Sequence, residues 1–301
     1  MTARRVLVIK LGALGDVVLA FGPFAAIRAR HPSAHVALLT TAPFAGLARA
    51  SPWFDDVRVD ARPAWWNLLG LRRLAGLLHG FDLVYDLQTS ARSSRYFRLA
   101  GRPRWSGIAR GASHPHANAA RDAMHTVERQ REQLAMAGIP CVPPPDLGWL
   151  TRGGPVLPAP YALLVPGAAP HRPAKRWPAA SFGQLAARVA ADGIRPVVAG
   201  TGAETGLAAA IVAACPQALD LTGRTSLPEL AGLAARAAFA VGNDTGPMHL
   251  AATVGCRCVV LFSGASDPAL TAPVGDVTVL RASDLADLPV ERVAAALPRG
   301  H

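Results

Sequence analysis

Four loops combine glycine with charged side chains directly after apolar runs that predict strands, a combination that can hold an anion or move a proton. The first loop, Lys10 to Asp16 (KLGALGD), leads into a predicted helix. Gly12 and Gly15 allow the backbone to approach a ligand, and a helix N-terminus attracts anions. Asp16 is therefore either a helix cap worth ~1 kcal/mol or a general base that accepts a hydroxyl proton. The loop matches neither the dinucleotide fingerprint nor a Walker A sequence.

The second loop gathers basic residues between a predicted strand and the next helix. Residues 165–178 (VPGAAPHRPAKRWP) contain His171, Arg172, Lys175 and Arg176 among small and cyclic side chains. Such a cluster suits a diphosphate, because charged donors bind phosphate oxygens strongly. The alternative is a solvated basic loop that binds nothing.

Lysine is scarce in this chain. Of the 31 basic residues only Lys10 and Lys175 are lysine, and the other 29 are arginine. A composition that uses arginine wherever a bare positive charge suffices predicts lysine where a compact ammonium fits and a guanidinium fork does not. Both lysines lie in the loops described above. Chance survival of two lysines is the alternative.

The third and fourth loops follow later strands. In residues 199–204 (AGTGAE), Glu204 begins a helix, where it either complements the helix dipole or accepts hydrogen bonds from ribose hydroxyls. In residues 241–250 (VGNDTGPMHL), we expect a turn from Asp244 to Gly246, with Pro247 early in a helix. Successive backbone N–H groups then form an anion nest. Asp244 is either a helix cap or part of a nucleotide-phosphate site.

Composition limits the function classes. The 301 residues are 51% hydrophobic and carry a formal net charge of +11, which predicts a folded protein with a polyanionic partner. Nucleic acid, anionic lipid and phosphorylated substrates all fit that charge. Scattered arginines and the lack of a nucleic-acid-binding motif rank nucleic acid lowest. The N-terminal segment has no cleavage signal and no stretch fits a transmembrane helix, so we expect a cytoplasmic protein.

Two further groups of side chains are ambiguous. Arg92, Arg95 and Arg98 follow one another at helical spacing, and they either bind phosphates of a lipid-linked acceptor or form a solvated helix face. His114, His116 and His125 lack zinc-ligand spacing and a partner acid or cysteine in step. The sequence therefore predicts no metal site and no cofactor.

The elements that must position these loops alternate between strand and helix along the whole chain, which predicts an α/β fold with parallel sheets. Seven prolines within residues 139–160 interrupt the pattern. We therefore expect two doubly wound (Rossmann-like) domains, residues 1–150 and 151–301. A final helix over 285–297 could fold back onto the first domain. The predicted strands are 5–10, 35–40, 57–59, 82–86, 161–165, 195–199, 218–221, 239–242 and 257–262. The predicted helices are 16–30, 68–78, 93–99, 120–137, 181–192, 204–214, 226–237 and 247–254.

Five segments together resemble the family-nine glycosyltransferases, typified by the ADP-heptose:lipopolysaccharide heptosyltransferases. They are RVLVIKLGALGDVVLA (5–20), FDLVYDLQ (81–88), HRPAKRWP (171–178), LTGRTSLPELAGL (221–233) and VGNDTGPMHLAATVG (241–255). The resemblance covers nearly the whole chain, and the last segment is the most specific. It implies two facing domains of the GT-B type, with the acceptor on the N-terminal side and the nucleotide-sugar mainly on the C-terminal side.

The resemblance also implies roles for individual residues. Asp16 matches the catalytic carboxylate that takes the proton of the acceptor hydroxyl during inversion. Lys175 matches the lysine that neutralises the leaving diphosphate, and Glu204 resembles the acid that holds the ribose. The predicted donor-binding residues are Gly15, His171, Arg172, Glu204, Asp244, Thr245, Gly246 and His249. Residues 263–268 (SGASDP) depart from the glycine-proline-threonine that is frequent in the family, so contacts to the donor at this segment are expected to differ from the family's.

The leading hypothesis is an inverting, metal-independent transfer of heptose from ADP-heptose to a phosphorylated, lipid-linked lipopolysaccharide inner-core acceptor. The charge of +11 favours an anionic membrane surface as a further partner, with the protein peripheral on the inner face of the cytoplasmic membrane. The same fold with a different nucleotide-sugar and acceptor is one alternative. A noncatalytic nucleotide-sugar-binding protein is another, and it would need no carboxylate at position 16.

Overall fold

The computed structural model describes residues 3–169 and 172–298. The chain divides into two compact units between Trp149 and Leu150. Each unit is built on its own six-stranded sheet, and every strand pairing in both sheets is parallel. Within the described ranges no helix is long and apolar enough to cross a membrane.

The first unit's sheet has the strand order β3-β2-β1-β4-β5-β6. Its strands are β1 (Arg5–Ile9), β2 (His35–Thr40), β3 (Asp56–Val59), β4 (Leu83–Asp86), β5 (Arg104–Gly107) and β6 (His114–Pro115). The central strand β1 is apolar from Val6 onward because helices cover both faces of a doubly wound sheet. Its Leu7 lies opposite Ala37 on one side and Val84 on the other.

The helices of this part of the chain are α1 (Leu14–Val18), α2 (Phe21–Arg30), α3 (Ala42–Ala50), α4 (Leu68–Leu78), α5 (Ala91–Leu99), α6 (Thr126–Met136) and α7 (Gly148–Thr151). The side chain of Asn67 caps α4 by accepting from the N–H of Gly70 at 2.9 Å. Ser90 caps α5 in the same way. Such caps fix where each helix begins, and each is worth about 1 kcal/mol.

The second unit's sheet has the order β12-β11-β10-β7-β8-β9. Its strands are β7 (Tyr161–Val165), β8 (Arg195–Val198), β9 (Leu219–Asp220), β10 (Phe239–Asn243), β11 (Cys258–Phe262) and β12 (Val277–Arg281). Its helices are α8 (Ala179–Ala191), α9 (Thr205–Ala214), α10 (Leu227–Arg236), α11 (Gly246–Thr253), α12 (Pro268–Thr271) and α13 (Val290–Ala295). Ser226 and Glu229 close a capping box at the start of α10.

The two sheets are wound identically. If the strands of each unit are counted from its own first strand, both orders read 3-2-1-4-5-6. The winding direction reverses between the first and fourth strands, and the crevice beyond the carboxyl ends of those strands is where open α/β sheets bind ligands. In the first unit this switch point lies between β1 and β4, and in the second it lies between β7 and β10.

The predicted helix over 16–30 is wrong as a single element, because the structure breaks it into α1 and α2 around Leu19 and Ala20. Pro23 explains the break. Its nitrogen has no hydrogen to donate to the carbonyl of Leu19, so an uninterrupted helix would lose that bond. In the structure Pro23 instead falls in the first turn of α2, where no such donor is needed.

The last helix, α13, packs against α8 of its own unit. Val290 and Val293 are buried in the second unit's core together with Trp177. The indole of Trp177 donates to the carbonyl of Leu288 just before α13, at 2.9 Å. Helix α13 is therefore anchored in the second unit's core.

Candidate active site

Lys10 lies at the switch point of the first sheet, directly after β1. Its side chain is buried, and its ammonium donates to the carbonyl of Leu87, which follows β4, at 3.1 Å. Burial lowers the pKa of Lys10, and the negative charge of Asp16 opposes that shift. The amine of Lys10 is therefore buried within reach of the negative charge of Asp16.

Asp16 is half-exposed in the first turns of α1. Its Oδ2 accepts a hydrogen bond from the backbone N–H of Ala13 at 3.2 Å. The N-cap residue of α1 is Ala13, so Asp16 caps the helix from its third position and the N-cap role predicted for it is wrong. Within residues 3–169 and 172–298, the other carboxylate oxygen accepts no hydrogen bond. The cap uses one oxygen and leaves the second available for a hydroxyl.

The backbone of Leu11 is held on both sides, which fixes the path of the loop toward Asp16. Its N–H donates to the side-chain oxygen of Gln88 at 2.7 Å. Its carbonyl accepts from the hydroxyl of Thr41 and from the guanidinium of Arg62, both at 3.0 Å. Sequence reasoning missed these three side chains because their contacts depend on which strands are neighbours.

Gly12 has no room for a side chain. Its φ is +123°, and a Cβ built there would lie 2.5 Å from Cε2 of Phe44. Only glycine adopts this conformation easily, and only glycine fits under the ring. Gly15, which the sequence assigned to the donor, is half-exposed within α1.

Asp86 is a second acid at this switch point and, unlike Asp16, it is buried; sequence reasoning gave it no role. It ends β4 and is fully buried. Burial raises its pKa to about 6, although hydrogen bonds from the N–H groups of Thr89 and Gln88 and the charge of Lys10 act to lower it. The strand-end segment FDLVYDLQ contained the only sequence signal for this position.

The second switch point carries an ion pair. The ammonium of Lys175 lies 2.5 Å from Oδ2 of Asp244, and the side chains are 12% and 7% exposed respectively. Lys175 ends a 3₁₀ turn, Pro173–Lys175, in the loop after β7, whereas Asp244 follows β10. The structure therefore brings together two residues that the sequence assigned separately to the phosphates of the donor.

Asn243 joins the same two loops. Its amide donates to the carbonyl of Pro166 at 2.8 Å, and its side-chain oxygen accepts from the backbone N–H of Trp177 at 3.0 Å. Both Asn243 and Trp177 are buried. A buried amide with satisfied hydrogen bonds fixes local geometry, so Asn243 positions the loop that carries Lys175.

The fourth loop forms the helix start that the sequence predicted. Helix α11 begins at Gly246, Pro247 lies in its first turn, and Thr245 is the N-terminal flanking residue. Pro247 has no N–H, and the N–H of Met248 donates to the carbonyl of Thr245 at 3.0 Å, so the start of α11 offers an anion the N–H of Gly246 together with the positive end of the helix dipole. His249 lies one turn further along α11 and is buried.

Glu204 is held by a local capping box. Its Oε2 accepts from the backbone N–H of Thr201 at 2.7 Å and from the Thr201 hydroxyl at 2.5 Å. A Cβ at Gly167, in the loop after β7, would lie 2.8 Å from Cγ of Glu204. The helix-start interpretation is therefore present in the structure, and the carboxylate also lies beside the loop that carries Lys175.

The remaining donor-loop residues are less constrained. Arg172 is exposed and precedes the 3₁₀ turn that contains Lys175. His171, predicted to bind the donor, lies outside the described residues.

The three helical arginines do not form one surface. The guanidinium groups of Arg92 and Arg95 lie 5.1 and 5.0 Å from the ring centroid of Trp65. Arg92 also donates to the hydroxyl of Tyr96 at 2.7 Å. Arg98 instead lines a separate cavity of about 540 Å³, whose other arginines are Arg102, Arg104 and Arg110.

The histidines considered as metal ligands make other contacts. His116 Nε2 lies 2.8 Å from a carboxylate oxygen of Glu132, and His114 Nδ1 lies 3.0 Å from the hydroxyl of Ser113. His125 flanks the start of α6, where its Nδ1 accepts from the N–H of Val127 at 3.3 Å. In the part of the chain that the structure describes, no group of three or more His, Cys, Asp or Glu side chains could hold a metal ion.

Comparison with known families gives one strong match. The model of glycosyltransferase family 9 (heptosyltransferase) matches residues 72–293, which is most of the chain. Lipooligosaccharide heptosyltransferase 2 of Haemophilus influenzae is 34% identical over 115 residues. That alignment covers 36% of this chain and spans about a third, 33%, of the length of the curated relative.

Solved structures match over nearly the full length. The glycosyltransferase of family 9 from Veillonella parvula has a TM-score of 0.82 at 20% identity, covering 97% of this chain and 95% of that one. The E. coli ADP-heptose lps heptosyltransferase II has a TM-score of 0.77 at 24% identity, covering 97% and 96%. The E. coli heptosyltransferase WaaC with ADP has a TM-score of 0.79 at 24% identity, covering 97% and 98%. These likenesses confirm the predicted α/β fold of the GT-B type.

Proposed function

Because the chain belongs to glycosyltransferase family 9, we propose that it transfers a heptose from ADP-heptose to a lipopolysaccharide inner-core acceptor, with inversion and without a metal ion. The observation that carries the proposal is the Lys175–Asp244 pair at the second switch point, beside the start of α11. A cation beside a helix N-terminus suits a diphosphate. The similarly folded WaaC structure, which contains ADP, supports the choice of an adenine nucleotide.

We assign the donor to the second unit's switch point. Lys175 contacts the diphosphate, with Arg172 and His171 as further donor-binding residues of this unit; Gly15, which belongs to the first unit, is also proposed to bind the donor. Asp244, Thr245, Gly246 and His249 hold the diphosphate and sugar. Glu204 binds the ribose through Oε1, because its Oε2 is already used by Thr201.

We assign the proton transfer to Asp16. An acceptor hydroxyl attacks the anomeric carbon of the donor, the bond from that carbon to the diphosphate oxygen breaks, and its electron pair stays on the diphosphate. The hydroxyl proton passes to the free carboxylate oxygen of Asp16 as the new glycosidic bond forms. Since a carboxylate is a weak base, stabilisation of the leaving group by Lys175 and the N-terminus of α11 supplies the larger part of catalysis.

The acceptor side carries arginines. Arg92 and Arg95 remain candidates for phosphates of a lipid-linked acceptor, since both are held at Trp65 near the loop that follows β3. Arg98 points to a different cavity and is the weaker candidate. The net charge of +11 favours work at an anionic membrane surface, with the protein on the cytoplasmic face.

The experiment that tests this function is a transfer reaction with ADP-heptose and a soluble inner-core acceptor, followed by determination of the anomeric configuration of the product. We expect one inverted product, and we expect the same rate in the presence of a chelator. Parallel calorimetry with ADP, UDP and GDP should give tightest binding for ADP. Binding of ADP-heptose without transfer would instead identify a noncatalytic binding protein, and transfer from only a uridine or guanosine donor would replace the adenine assignment.

A further inference from the structure

Three large apolar side chains are exposed side by side at the start of α4. Trp66 is 85% exposed, Leu68 is 73% exposed and Leu69 is 71% exposed. Another face of α4 packs against the first unit's core, where Leu74 and Leu78 are buried. Adjacent exposed residues of this size mark an interaction surface more often than a neutral feature.

Basic residues border this apolar group. Arg72 and Arg73 lie four residues after Leu68 and Leu69, so each arginine is one helical turn from an exposed leucine. Both arginines are exposed, and neither forms an ion pair with any residue in the described ranges. Residues 61–81 contain no acidic residue.

The neighbouring chain holds this surface in place. Trp65 is fixed against the guanidinium groups of Arg92 and Arg95, and its own side chain is only half-exposed. Arg62 donates to the carbonyl of Leu11 at 3.0 Å, in the loop that leads to Asp16. The exposed apolar group therefore lies on the same edge of the first sheet as the proposed catalytic carboxylate.

We propose that Trp66, Leu68, Leu69, Arg72 and Arg73 form a docking surface for an anionic lipid bilayer. Tryptophan and leucine enter the boundary between headgroups and acyl chains, while arginine binds lipid phosphates. The absence of acids from residues 61–81 and the net charge of +11 complement an anionic surface. The inference rests on the proposed function, for which it names the surface that contacts the membrane. It also places a bilayer-anchored acceptor near Asp16.

The test measures binding of the full-length chain to vesicles of phosphatidylglycerol with phosphatidylethanolamine and to vesicles of phosphatidylcholine alone. We expect binding to the anionic vesicles that weakens with salt. The variant W66S/L68S/L69S should bind them at least about tenfold more weakly. The variant R72Q/R73Q should lose about fivefold for each arginine, with little change toward phosphatidylcholine.

Matched controls show whether any loss of binding is specific to this surface or follows from the removal of any exposed apolar side chain or any two positive charges. Val156 is 85% exposed in the second unit, so V156S removes an equally exposed but smaller apolar side chain elsewhere. Arg102 and Arg110 line the separate arginine cavity, so R102Q/R110Q removes the same charge. Both controls should bind anionic vesicles like the wild type. Brominated lipid should quench wild-type fluorescence more than that of Trp66→Phe, which tests the contact without a destabilising change.

Several outcomes would overturn the inference. The inference would be wrong if the wild-type protein did not bind anionic vesicles. It would also be wrong if variants of the surface bound them as tightly as the wild type. Loss of transfer to a soluble acceptor in W66S/L68S/L69S would assign the surface to the acceptor glycan and not to lipid. A protein that binds vesicles through this surface but transfers no sugar would leave the inference standing and remove the proposed function.

Discussion

The two lysines of this chain each lie in the loop after the first strand of two identically wound sheets, yet their binding partners differ. Lys10 follows the first strand of the first sheet, is buried, donates to a backbone carbonyl and has a lowered pKa. Lys175 lies in the loop after the first strand of the second sheet and is paired with Asp244. The same topology therefore holds a buried lysine in one unit and an ion pair at a helix start in the other.

The difference shows that the fold provides positions and the loops provide chemistry. At the first switch point the acid that is half-exposed is Asp16, and the lysine lies beneath it. At the second, the acid and the lysine neutralise each other beside the N–H groups that begin α11. The first arrangement suits a proton acceptor, and the second suits an anion that competes for Lys175.

The largest effect is expected at Asp16. The variant Asp16→Asn keeps the shape of the side chain but cannot accept a proton, so kcat should fall by about 10³-fold, or about 4 kcal/mol in the barrier. Single-turnover transfer from ADP-heptose measures this directly. Turnover equal to that of the wild type would remove Asp16 from the mechanism, and the first switch point would then supply no base.

A pH effect of about 3 kcal/mol is expected from Asp86, whose folded pKa of about 6 lies above the ordinary value of 3.8. Below the ordinary value the group is protonated in both states. As pH rises toward 6, the folded protein keeps a proton that the unfolded chain releases, so folding loses free energy. Asp86→Asn lacks this loss, and its stability relative to wild type should therefore rise between about pH 4 and about pH 7.

Denaturant unfolding across that pH range measures the effect, and Asp82 provides a control of opposite sign. Backbone N–H groups of Arg5 and Arg4 lower the pKa of Asp82. Its contribution is present above the ordinary pKa and is lost as pH falls, so Asp82→Asn should cost most at neutral pH. A flat pH difference for Asp86→Asn would contradict the burial of Asp86 described above.

A smaller change is expected from Lys175. Lys175→Met removes one charged contact to the diphosphate, so nucleotide affinity should fall about 30-fold, or about 2 kcal/mol. Lys10→Met, the matched change at the first switch point, should leave nucleotide affinity unaltered. Equal losses for both lysines would contradict the division of roles. Lys175→Arg should not restore the rate, and a wild-type rate there would defeat the argument from lysine scarcity.

The smallest effect concerns the first loop's shape. Gly12→Ala places a Cβ against Phe44 at a positive φ, so it should cost about 1–2 kcal/mol of stability. Gly46→Ala is the control, because a Cβ there meets nothing within 4 Å inside α3 and should stabilise by up to about 1 kcal/mol. Thermal unfolding compares the two. Equal effects would mean that the first loop is not constrained as described.

Much of the fold was predictable because parallel strands are continuous apolar runs. The predicted strands 35–40 and 161–165 and the helix 68–78 coincide with β2, β7 and α4. Other helices and strands contain residues that disfavour their own secondary structure. Pro43 and Gly46 obscure α3, and the short β5 ends in Gly107. Neither was predicted, because packing in the folded unit overrides weak local preference.

The candidate site was predictable only in part. The loops at strand ends identified Asp16, Lys175 and Asp244, since all follow strands at the ligand-binding edge of a parallel sheet. The contact of Gln88 with Leu11 depends on β4 being the neighbour of β1, which local patterns do not encode. Helical spacing likewise grouped Arg92, Arg95 and Arg98, whereas in the structure Trp65 from another loop contacts the first two and Arg98 lines a separate cavity.

Calorimetric titration of ADP into wild type, Asp16→Asn and Lys175→Met in one buffer tests the central claim most directly, namely that the second unit holds the nucleotide and the first supplies the base. The account predicts equal ADP affinity for wild type and Asp16→Asn, and about 30-fold weaker affinity for Lys175→Met. Loss of ADP binding in Asp16→Asn as large as that in Lys175→Met would contradict it.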